Sequence, residues 1–185
     1  NKLPGSAGKK GYNGVMNITE LFLQRYDPLY TFWLAGVWEF VPHALMRQRP
    51  DGRVNSIAWN LWHLTRVEDA AFNRFITDGV QVLDVGDWAA RMNLPWRHNG
   101  SEMSFEEVDE LDRRIDLDAL CAYAKAVEAR TRQIAAQLDQ IDLDATLAEA
   151  PLRRVLFDEG LAHPRAGGLL QNYLGWPKRK CLTNL

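Results

Sequence analysis

A chain of 185 residues is long enough for one domain with a sizeable core. Its 46% apolar and 25% charged residues are ordinary for a globular protein, and a formal charge of −2 disfavours a nucleic-acid partner held by a basic face. No apolar run nears the roughly 18–20 residues that span a bilayer, so no membrane partner is expected. Two distant cysteines, Cys121 and Cys181, suit a reduced, cytoplasmic setting.

Residues 1–15, NKLPGSAGKKGYNGV, carry no apolar period and read as a flexible leader or tag remnant ahead of a single domain over 16–185. Asn17 with Glu20 three residues on has capping-box spacing and opens a first helix from about Ile18 to Gly36. Pro28 lies inside that helix, where its missing donor predicts a kink or local break. Pro50, Asp51 and Gly52 form a turn.

The strongest helix signal runs from Val54 to Gly79. Ile57, Leu61, Leu64, Glu68, Ala71 and Phe75 recur at steps of three and four, and only Glu68 breaks the apolarity of the stripe. Asn55 or Ser56 supplies the N-cap, and Gly79 the left-handed residue past the last turn. His63 falls on the row Asn60, His63, Val67 and Ala70, at the border of the core stripe, with Trp59 and Trp62 beside it. A histidine there either has a partner or is a ligand.

Val80 to Ile115 is too long for a plain loop in a compact domain. It holds a short helical stretch in GDWAARM, a loop at Leu94 to Gly100, and a capping box, Ser104 with Glu107, opening a helix to about Arg113. Such connections often cover a site, which makes Trp59, Trp62, Trp96 and His98 pocket-rim candidates. A third main helix spans Asp116 to about Gln140, with Leu117, Leu120, Ala124, Val127, Thr131, Ile134 and Leu138 as its core stripe. A short helix follows from Leu152 to Gly160. The last segment begins near Ala166 at helical spacing, is interrupted at Gly175, Trp176 and Pro177, and is expected to be a short or truncated fourth helix. Seven tryptophans spread over the chain read mainly as core area.

NSIAWNLWHLTRVEDAAFNRF resembles the second helix of the DinB-like superfamily, which includes thiol S-transferases and mycothiol-dependent isomerases. The resemblance implies an all-α, up-and-down four-helix bundle with long inter-helix connections. It also implies a divalent metal, zinc or nickel, with His63 as one of three histidine ligands and a low-molecular-weight thiol as co-substrate. The family's other two ligands stand in an HxxxH pair on the last helix, a spacing that His43, His98 and His163 do not show. One or two of these would have to fold towards His63, with Glu68 or Asp69 contributing oxygen.

The expected function is therefore a metal-dependent, thiol-transferase-like enzyme acting on a small molecule. The alternative is a metal-free helical bundle that dimerises or binds a small apolar ligand. A homodimer is expected in either case, because an incomplete bundle leaves apolar area uncovered. There is no GxSxG, GxGxxG or phosphate-loop pattern to suggest other chemistry.

Overall fold

The computed structural model describes residues 17–183, so the expectation for residues 1–15 lies outside the described residues. All the regular secondary structure it describes is helical. Asn17 accepts from the backbone N–H of Glu20 while the Glu20 carboxylate accepts from that of Asn17, the reciprocal cap the spacing predicts. Three segments then follow without leaving helical dihedrals, Ile18–Pro28, Leu29–Leu34 and Ala35–Phe40, and together they make helix α1. Pro28 does not break the chain. Its missing donor is absorbed by a π-helical turn over Leu29–Leu34. The helix outruns the predicted end at Gly36 and stops at Val41, which is extended because Pro42 follows it.

Helix α2 comprises Ile57–Ala70 and the π-helical turn Ala71–Ile76. Ser56 is the N-cap, accepting from Trp59 N–H at 2.9 Å. At the other end the left-handed residue is Asp78 (φ 51°), not Gly79, and a short aspartate side chain tolerates that region. The buried face also differs from the predicted stripe. Ile57 and Leu64 are exposed at 38% and 45%, whereas Trp59, Trp62, Arg66 and Asp69 are covered. The cause is the 80–100 connection, which folds over that flank and buries Leu83, Met92 and Leu94 against it.

Helix α3 is Phe105–Arg114, with the predicted Ser104–Glu107 capping box formed. Helix α4 is Leu117–Ala135, capped by Asp116, and every residue of its predicted stripe is buried. Glu149–Arg153 and Arg154–Asp158 together make a short α5. The last segment does not form a fourth long helix among the described residues. Leu169–Tyr173 makes little more than one turn, and Gly175 takes φ 75°. The chain then pairs antiparallel with residues 143–147 through Leu147 N–H to Trp176 O and Lys178 N–H to Ala145 O. After Pro177 the chain resumes only as a 3-10 turn, Lys178–Thr183.

Apolar side chains gather in two clusters. One holds Phe22, Tyr26, Phe72, Phe75, Ile134 and Leu156; the other holds Leu61, Trp62, Leu111, Leu120, Tyr123 and Val127. Between them α2 contributes a buried polar layer of Thr65, Arg66, Glu68 and Asp69. No helix of the described residues is long and apolar enough to cross a membrane.

Candidate functional site

His63 stands half-buried on α2, its ring stacked on Trp59 at 4.6 Å between centroids and 11° between planes. Its Nδ1 lies 2.5 Å from the carbonyl oxygen of Asn99. A carbonyl only accepts, so Nδ1 carries the proton. Burial pushes the His63 pKa below its usual value, against a smaller opposing effect of the Asn99 contact, and keeps the ring neutral at neutral pH. Nε2 is then left with a bare lone pair. A ligand histidine is commonly oriented in this way, by a carbonyl on its other nitrogen.

The segment carrying Asn99 is itself held in place. Asn99 N–H donates to Leu161 O at 2.9 Å, and Gly100 turns the chain at φ 89° above Trp59 and Trp62. Trp59 is 9% exposed and Trp62 fully buried, so they floor this loop, while Trp96 remains half-buried beside His98. The loop is anchored to α2 by a buried ion pair. Arg66 donates to Asp69 and to the carbonyl of Arg97, and Asp69 also accepts from the backbone N–H groups of Val82 and Leu83.

His98 and His163 do meet, with ring centroids 4.8 Å apart, but their chemistry differs from that of His63. Gly100 N–H donates to Nδ1 of His98 and Arg165 N–H to Nδ1 of His163, each at 3.1 Å. The proton of the neutral His98 ring therefore sits on Nε2, and His163 Nε2 donates to Glu107 at 3.2 Å. Burial and the neighbouring His163 push the His98 pKa down to about 4, so it stays neutral. This pair clips the 96–100 and 161–165 loops together and presents no lone pair to a metal. His43 is remote from it, near Asp118.

A catalytic metal centre needs about three protein ligands and an open position. His63 suits one position. Among the described residues no group of three or more His, Cys, Asp and Glu side chains is arranged to hold an ion. Asp69 is committed to Arg66, and Glu68 points elsewhere. Glu68 accepts from Tyr26 Oη at 2.5 Å, from Thr131 Oγ1 at 2.7 Å and from Tyr30 Oη. Burial pushes the Glu68 carboxyl above its usual range and both tyrosines well above theirs. The described residues therefore fit one ligand of a centre and not the set.

A family model described as the DinB superfamily matches residues 34–163, more than half of the 185-residue chain. The chain belongs to the DinB superfamily. No curated protein matches it in sequence. In this DinB-superfamily chain the matched span runs from the end of α1 to the loop at His163, and so contains His63, its Asn99 anchor and the His98–His163 clip.

Of the pocket-rim candidates, Trp59 stacks on His63, and Trp62 and Trp96 pack against His98. The polar layer of α2 leaves only a faint trace in the sequence: Glu68 and Thr131 are the polar residues within two otherwise apolar stripes, and Tyr26 and Tyr30 lie four apart on α1. Of the two cysteines, Cys121 is half-buried and Cys181 buried, and burial pushes the Cys181 thiol up to about 11, which makes it a poor nucleophile.

Proposed function

We propose that this DinB-superfamily chain is a scaffold for a metal-dependent, thiol-using transferase acting on a small molecule, in a reducing, cytoplasmic setting, and that His63 is its own contribution to the metal site. The observation that supports this reading is the proton placement on His63: Nδ1–H is taken by Asn99 O, and Nε2 is bare. In this reading the remaining ligands come from a second protomer. The four-helix bundle of the family belongs to the same proposal, with α1, α2 and α4 as three of its helices.

The test is elemental analysis of protein purified without chelator or nickel column, comparing wild type with His63→Ala. Near-stoichiometric zinc or nickel in the wild type and none in the variant is expected. A folded, metal-free wild type removes the reading.

A homodimer is part of the proposal and rests on a different observation. Phe32, Trp33 and Phe40 are 69%, 66% and 75% exposed on one helix, and Phe32 and Trp33 pack edge to face. Exposed aromatic area of this kind marks an association surface. Sedimentation should give a dimer for the wild type and a monomer for Phe32→Ser/Trp33→Ser; a monomeric wild type at micromolar concentration discards the dimer.

A further inference from the structure

Glu68 is 4% exposed, and no Lys, Arg or His of the described residues forms an ion pair with it. The nearby Arg132 is held by Asp27 and Glu128, with its guanidinium over the Tyr26 ring. A carboxylate offers about four acceptor sites. Tyr26 and Thr131 occupy two on Oε1, and Tyr30 one on Oε2. One site on Oε2 is left over.

Glu68 also forms part of the wall of a cavity of about 130 Å³ between α1, α2 and α4. Tyr30, Leu34, Trp38, Leu61 and Leu64 supply most of the rest of its lining, so it is largely apolar with one acid in its wall. Tyr30 links the two features, since it lines the cavity and donates to Oε2.

An ionised carboxylate without a countercharge in such surroundings is costly, and three hydroxyl donors offset only part of that cost. A ligand bringing one positive charge and an N–H donor would supply what is missing. A cavity of roughly 150 Å³ holds a benzene-sized molecule, which sets the scale of the accompanying apolar group. The aromatic rings of Tyr30 and Trp38 in the lining favour a cation, and the leucines favour an alkyl or phenyl tail.

We propose that this cavity is a binding site for a small primary amine carrying an apolar group, with Glu68 as its counter-ion and Tyr30 as the residue that orients the carboxylate. The site is separate from His63 and does not depend on a metal there. Uncharged molecules of the same size should bind far less well, because they leave Glu68 uncompensated.

The experiment is titration of the metal-free protein with butylamine and phenethylamine at neutral pH, followed by calorimetry and two-dimensional amide NMR, with butanol as the uncharged control. Saturable millimolar or tighter binding of the amines is expected, with shifts confined to the Tyr30, Trp38 and Glu68 neighbourhoods. Glu68→Gln should weaken it by about tenfold or more, the loss of one charge-assisted bond. Leu64→Trp fills the mouth of the cavity from a position that is 45% exposed, and should abolish binding while leaving the fold intact. Equal affinity for butanol, undiminished binding in either folded variant, or no saturation by the amines overturns the proposal.

Discussion

Asp69→Ala is expected to destabilise the protein by about 3–5 kcal/mol, the usual cost of removing one partner of a buried ion pair. Asp69 is fully buried and Arg66 is 1% exposed. Arg66 is further held by Tyr123 Oη and Gln81 Oε1, both at 2.9 Å, and by the Arg97 carbonyl at 2.7 Å. Loss of the Asp69 carboxylate leaves the guanidinium without its counter-ion. It also leaves the N–H groups of Val82 and Leu83, bonded at 2.8 and 2.9 Å, without acceptors.

Against a typical domain stability of about 5–15 kcal/mol this is a large fraction, so the variant should be marginal at 37 °C. Urea denaturation measures it, and amide exchange should show the 80–100 connection opening first. Arg66→Met should cost a comparable amount, and the double variant less than the sum, because no isolated charge remains. A cost of under about 1 kcal/mol for Asp69→Ala would show that this pair does not anchor the connection.

Gly100→Ala is expected to cost about 3 kcal/mol and to release His63 from its orientation. The position has φ 89°, which costs a residue with a Cβ roughly 1–2 kcal/mol. An added Cβ would also lie 2.5 Å from Cζ3 of Trp62 and 3.2 Å from Nε1 of Trp59. Trp62 is fully buried and cannot swing away, so the loop must move, at a further cost of about 1–3 kcal/mol from overpacking. The neighbouring Asn99 carbonyl would move with it and leave His63 Nδ1. The check is twofold: denaturation for stability, and the Nδ1–H resonance of His63, which should be protected in the wild type and lost in the variant. Retention of that resonance with near wild-type stability would contradict the placement of Gly100 against the tryptophans.

The helices were legible wherever one short stretch of chain contains its own reason. Asn17 with Glu20, Ser56, and Ser104 with Glu107 form their caps through contacts three residues apart, which depend on nothing distant. The stripe on α4 is buried throughout because that helix is covered on the one face its apolar period marks. The motif of α2 also marked His63 and led to the superfamily that the match over residues 34–163 establishes.

What packing decided is different in kind. Helix α2 is covered on two sides, by α1 and α4 and by the 80–100 connection, so Trp62 and Arg66 are buried and Ile57 and Leu64 are left at the edge. Periodicity marks one apolar face and cannot register a second covered by a loop. The proton position on His63 depends on Asn99, 36 residues away, and those on His98 and His163 depend on local backbone donors that orient each ring. The surroundings of Glu68 bring together Tyr26 and Tyr30 from α1 and Thr131 from α4, partners 38 to 63 residues distant. Sequence determined the starts of the capped helices and that His63 borders the core, because those properties are local. Only the tertiary structure decided which acids are paired, which imidazole nitrogen is bare and where the buried Glu68 carboxyl meets a cavity, because each depends on groups that folding alone brings within hydrogen-bonding distance.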